Sequence, residues 1–164
     1  MEPLPAGPGR PEGAPARLDE PLRATGANAA PVLSTSAVPA VRGRVLVIDD
    51  DALVGRSMGR LLQGAHEVTV LASPSEALAR LERGERWDAI LCDLMMPELS
   101  GMDVEERLVK LAPDVVPRIV YLTGGAFTDR ARAFLASGRP CLEKPVEAQA
   151  LRQRVAELVR RACG

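Results

Sequence analysis

Aromatic residues are almost missing from this chain. Trp87, Tyr121, Phe127 and Phe134 are all there are, 2% of 164 residues. Too few are present for a base-stacking platform or an aromatic sugar cleft. Histidine occurs once, as His66, and cysteine three times, as Cys92, Cys141 and Cys163, with no CxxC pair. That excludes a zinc site of the usual spacing and a disulfide framework, and predicts three buried free thiols in a reducing compartment. Lysine is scarce too: only Lys110 and Lys144 among 21 basic residues, which makes each worth inspecting. No excess of either charge exists, since 21 Lys and Arg face 22 Asp and Glu. Neither a nucleic-acid partner nor an anionic membrane is therefore expected. No apolar run approaches the ~20 residues of a membrane span, and Met1-Glu2-Pro3-Leu4-Pro5 does not begin a signal peptide. A soluble, cytoplasmic chain is expected.

Composition divides the chain near residue 42. Residues 1–42 hold eight Pro, nine Ala and four Gly, with four acidic and four basic residues. Such a segment buries too little apolar surface to offset the entropy of ordering it, so a disordered Pro/Ala-rich linker or tail is expected. Residues 43–164 alternate instead between short apolar runs and helical periodicity. The runs are Val45-Leu46-Val47-Ile48, Val68-Thr69-Val70-Leu71, Ala89-Ile90-Leu91-Cys92, Ile119-Val120-Tyr121-Leu122 and, weakly, Cys141-Leu142. Mostly continuous apolar runs are the mark of strands covered on both faces, as in a parallel sheet. Helical spacing appears in Val54, Met58, Leu61 and Leu62; in Val104, Leu108 and Leu111; in Phe127, Ala131, Phe134 and Leu135; and in Leu151, Val155, Leu158 and Val159. A short helix around residues 75–83 completes five. Gly64, Gly84, Gly138 and Pro113 stand where helices should stop. Strict alternation predicts an α/β, doubly wound, five-stranded parallel sheet with five helices.

In such folds chemistry collects beyond the carboxyl ends of the strands. Asp49-Asp50-Asp51 follow the first run, Asp93 the third, Thr123 the fourth and Lys144-Pro145 the fifth. Each has an ordinary structural use: Asp50 or Asp51 can cap a helix, Thr123 can serve a turn, and Lys144 can be a solvated lysine. Their common position at the strand ends is what points to function. Carboxylates ~4 Å apart repel by roughly 4 kcal/mol per pair at an effective dielectric near 20, so they share protons or bind a cation. All-oxygen ligands select Mg²⁺. Asp49 and Asp50 form the metal pair, and Asp93, on a central strand, fits a phosphoryl acceptor. Thr123 and Lys144 supply a hydroxyl and a positive charge for phosphoryl oxygens.

The run Val47-Ile48-Asp49-Asp50-Asp51, Asp93-Leu94-Met95-Met96-Pro97 with Gly101 eight residues past the Asp, Thr123, and Lys144-Pro145 closely resembles the receiver domain of bacterial two-component response regulators. The resemblance covers residues 43–164. It implies a flavodoxin-like strand order 2-1-3-4-5 and phosphorylation of Asp93 by a histidine kinase or phosphotransfer protein. It also implies Mg²⁺ among Asp49, Asp50, Asp93 and the Met95 carbonyl, a cis Lys144–Pro145 bond, and signalling through a downstream protein. One position departs: receivers usually carry an aromatic three residues before the lysine, and here that residue is Cys141. Haloacid-dehalogenase phosphohydrolases share Asp, Thr, Lys and Mg²⁺, but need a second Asp where Met95 stands. A detached carboxyl-terminal receiver of a hybrid sensor histidine kinase is the alternative of the same chemistry. No kinase glycine box and no output domain are expected in the chain. His66 is expected on the surface, and Trp87 at the start of the third strand.

Overall fold

The computed structural model describes residues 41–125 and 128–164. Five strands alternate with five helices in it. These are β1 (Arg44–Ile48), α1 (Ala52–Leu62), β2 (Glu67–Leu71), α2 (Pro74–Glu82), β3 (Ala89–Asp93), α3 (Gly101–Leu111), β4 (Ile119–Thr123), α4 (Asp129–Ala136), β5 (Cys141–Glu143) and α5 (Ala148–Cys163). A single 3₁₀ turn, Val116–Arg118, leads into β4. Every pairing is parallel, and the order is β2-β1-β3-β4-β5, as expected.

The continuous apolar runs have a simple cause. Alternate side chains of one strand enter two different cores. Leu46, Ile48, Ile90, Cys92 and Tyr121 face α2, α3 and α4, whereas Val45, Val47, Leu91, Val120 and Leu122 face α1 and α5. β1, β3 and β4 are thus buried on both sides. β2 and β5, at the edges, are only partly covered. The helices begin at side-chain caps: Asp51, Ser73, Thr128 and Glu147 accept from the first-turn amides of α1, α2, α4 and α5. Ser100 and Asp103 form a reciprocal capping box on α3. Gly84 and Gly138 adopt φ of +91° and +82° just past α2 and α4, a conformation that favours glycine.

Several expectations need correction. His66 is 5% exposed and not a surface residue, and its Nδ1 accepts a hydrogen bond from the Gly43 amide. Only Cys92 is a buried thiol; Cys141 and Cys163 are exposed, one on an edge strand and one at the last turn of α5. Leu111, in the periodic set of α3, is exposed where that helix ends. Trp87 stands just before β3 as expected, fully buried rather than at an edge. The Pro/Ala-rich segment expected over residues 1–42 lies, but for Val41 and Arg42, outside the described residues, and so does Phe127. No described helix is long and apolar enough to cross a membrane.

Candidate phosphoryl and metal site

The ladder between β1 and β2 runs one step past β1, because the Asp49 amide donates to the Leu71 carbonyl at 3.1 Å. That bond holds Asp49, fully buried, at the edge where strand order reverses. Of the three successive acids, Asp51 is spent on structure. Its carboxylate accepts from Leu53 and Val54 at 2.8 and 3.2 Å and caps α1. Its own amide donates to Asp49 Oδ1 at 3.0 Å, which fixes that carboxylate's rotation. Asp50 is left exposed to solvent.

Asp93 closes β3 and is 6% exposed. The next turn packs so tightly on it that only glycine fits at the start of α3. A Cβ on Gly101 would lie 2.7 Å from the Asp93 carbonyl oxygen and 3.1 Å from the Leu94 Cα. The Gly101 amide donates to the Leu94 carbonyl at 3.0 Å. This close approach accounts for the glycine eight residues beyond the aspartate.

Lys144 arrives from β5 through a 2.7 Å bond between its amide and the Thr123 carbonyl, and its bond to Pro145 is cis. Its ammonium lies 2.8 Å from Asp49 Oδ2 and 3.1 Å from Asp93 Oδ1. Burial raises the Asp93 pKa above its ordinary value; the Lys144 bond and charge oppose this, and Asp49 and Asp50 add to it. For Lys144 burial disfavours the charge, but the bonds to Asp49 and Asp93 outweigh it and raise the pKa. Thr123, 7% exposed, stands at the same sheet edge, where its Oγ1 accepts from the Gly125 amide at 3.1 Å. Met95 lies in the loop two residues past Asp93 with its side chain in solvent.

One carboxylate oxygen from each of Asp49, Asp50 and Asp93 lies within 4.8 Å of the others. Each ionised pair at that spacing repels by about 3 kcal/mol at an effective dielectric near 20. Lys144 offsets one of the three charges. A hard dication with oxygen ligands suits the remainder, so this cluster could bind a metal. Reading the sequence had found every one of these residues. It had overlooked Glu105, on the inward side of α3, which accepts from the Tyr121 hydroxyl at 2.5 Å and from Arg139 Nε at 2.7 Å. A glutamate inside the apolar stripe containing Val104 and Leu108 was the available signal.

A family model described as the response regulator receiver domain matches residues 45–156. Response regulator MprA of Mycolicibacterium vanbaalenii is 31% identical over 118 residues, 72% of this chain and 51% of that protein. Virulence sensor protein BvgS of Bordetella pertussis is 33% identical over 140 residues, 82% of this chain and 11% of that protein. The chain thus spans about half the length of the MprA relatives and a ninth of BvgS. A CheY-like receiver domain protein of Methanospirillum hungatei superposes with a TM-score of 0.64 at 27% identity, over 74% of this chain and 97% of that one. A receiver domain protein of Clostridium thermocellum does so with a TM-score of 0.62 at 31% identity, over 72% and 94%.

Proposed function

The chain belongs to the response regulator receiver domain family, and from that premise we propose that it is a phosphoacceptor of a two-component relay. Asp93 takes a phosphoryl group from a phosphohistidine on a histidine kinase or phosphotransfer protein, and the phosphorylated domain signals by binding a downstream protein. The Asp93 carboxylate oxygen not held by Lys144 attacks phosphorus in line. The P–N bond breaks, and its electron pair stays on the departing imidazole, which takes a proton from water. The chain catalyses only its own phosphorylation and dephosphorylation.

Asp49, Asp50, Asp93 and the backbone carbonyl of Met95 would hold Mg²⁺, which supplies charge for phosphoryl oxygens. Lys144 neutralises the acceptor side while keeping Asp49 turned inward. Thr123 donates its hydroxyl to a phosphoryl oxygen. The observation that carries the reading is the ammonium of Lys144 between Asp49 and Asp93, at 2.8 and 3.1 Å, beside a third carboxylate.

Incubation with acetyl phosphate and Mg²⁺, followed by intact mass measurement, tests it. The wild-type chain gains one phosphoryl group and Asp93→Asn gains none. Equal gain by both would overturn the assignment.

The similarity to BvgS spans more of this chain than the similarity to MprA. It favours a second reading: the domain is the carboxyl-terminal receiver of a hybrid sensor kinase, with the same chemistry at Asp93. Such a receiver passes its phosphoryl group on to a phosphotransfer histidine, which radiolabel transfer from the phosphorylated chain would detect.

A further inference from the structure

At the edge of the sheet away from Asp49 and Asp93, the end of α1, the turn before β2 and the flank of α5 enclose a groove of about 470 Å³. Leu61, Leu62, Ala65 and Ala156 make it apolar. Arg60, Arg152 and Arg160 also line it, and among the described residues no acidic one does. The side chains of Arg60 and Arg160 make no ion pair or hydrogen bond with any described residue, while Arg152 donates to the Leu61 carbonyl at 3.2 Å. His66 lies in the wall, 5% exposed. Its Nδ1 accepts from the Gly43 amide at 3.3 Å, so the neutral ring carries its proton on Nε2, a donor with no partner among the described residues.

We propose that this groove docks an acidic amphipathic segment of a partner protein. Asp and Glu side chains of that segment meet Arg60, Arg152 and Arg160, and its apolar side chains cover Leu61 and Ala156. The charge complementarity selects this occupant. A second copy packing by the same face would set arginines against arginines. A nucleic acid would find phosphate partners but no ring to stack on, since the walls are aliphatic apart from His66. A free anion would leave the apolar floor wet. An acidic helix laid along α1 and α5 uses both parts of the groove. None of Asp49, Asp50, Asp93, Thr123 or Lys144 lines the groove. A partner here therefore leaves Asp93 open to its phosphoryl donor, and the inference stands apart from the phosphoacceptor reading.

The test uses the full chain, labelled with ¹⁵N, and a synthetic helical peptide with Leu at i, i+3, i+4 and i+7 and Glu elsewhere. Amide shifts are expected within residues 60–66 and 152–160, with affinity lowered about tenfold or more by Arg60→Glu with Arg160→Glu. Arg107→Glu, an exposed change on α3, should leave affinity unchanged and controls for net charge. The same peptide with Lys in place of Glu should not bind. Four results would overturn the proposal: no shifts, shifts centred elsewhere, binding of the Lys peptide, or equal weakening by Arg107→Glu. So would a poly(A) oligonucleotide or inorganic phosphate reproducing the peptide's shifts, which would make the surface a general anion patch.

Discussion

The hydroxyl of Tyr121 donates a 2.5 Å hydrogen bond to Oε2 of Glu105, joining β4 to α3 inside the core. Arg139, just before β5, grips the same carboxylate with Nε at 2.7 Å and an outer nitrogen at 2.5 Å. Phe134 of α4 stands edge-on to Tyr121, with centroids 4.9 Å apart, and lies under the Arg139 guanidinium at 4.4 Å. Tyr121 and Arg139 both lose a partner when Glu105 changes. Glu105→Leu leaves the Tyr121 hydroxyl buried without an acceptor, at a cost of about 1–3 kcal/mol. Tyr121→Phe leaves Glu105 bonded to Arg139 and should cost less. Urea unfolding of both variants checks the order; a loss from Tyr121→Phe equal to or larger than that from Glu105→Leu contradicts it.

The same carboxylate predicts an acid dependence. Burial opposes the ionisation of Glu105, but the bonds from Arg139 and Tyr121 outweigh it and hold its pKa below the ordinary 4.5. A carboxylate depressed in the folded state stabilises the fold fully above its unfolded pKa. That contribution is lost as pH falls through the folded value. The stability gap between wild type and Glu105→Gln should therefore be constant from pH 7 to about 5 and shrink below pH 4.5. A gap that grows on acidification contradicts the assignment.

Gly101→Ala sets a methyl 2.7 Å from the Asp93 carbonyl oxygen. The start of α3 must move, at a cost of about 1–3 kcal/mol by analogy with overpacked cores. Phosphoryl acceptance at Asp93 should fall with it. Gly64→Ala, with nothing within 4 Å of the added carbon, is the control and should leave both unchanged.

Asp50 is exposed, and its neutralisation should not unfold the chain. Asp50→Asn removes one charge from the three-carboxylate cluster. Mg²⁺ affinity by calorimetry should drop about tenfold or more, since one carboxylate–dication contact is lost, while the unfolding free energy measured in urea without Mg²⁺ stays equal or rises, because repulsion with Asp49 and Asp93 is relieved. Unchanged Mg²⁺ affinity would remove Asp50 from the ligand set.

Cys141 is exposed and pairs in register with Tyr121, at the position where receivers usually carry an aromatic. With a small side chain there, beryllofluoride should shift the amide resonances of α4 only slightly, and Cys141→Tyr should enlarge those shifts. Large shifts in the wild-type chain would show that coupling does not need the aromatic.

Much of the fold was legible because its signals are local. Leu46 and Val47 read as neighbours in one apolar run since each has its own core to enter, on opposite faces of β1. Asp49, Asp93, Thr123 and Lys144 could be found because each ends a readable strand. His66 was misread because one residue between two elements has no periodicity to reveal its burial. Cys141 was misread because burial on an edge strand depends on what covers it. Glu105 went unnoticed because its partners, Tyr121 and Arg139, lie 16 and 34 positions away.

Residue order alone thus dictated the alternation of strand and helix, the helix stops and the residue types at each strand end, all consequences of backbone preference and of which side chains avoid water. Folding in three dimensions chose Asp51 over Asp50 as the cap and set the Lys144 ammonium against Asp49, 95 residues earlier. Distances of that kind follow from strand register and helix packing, which sum weak contacts over the whole domain and leave no mark on any short stretch of chain.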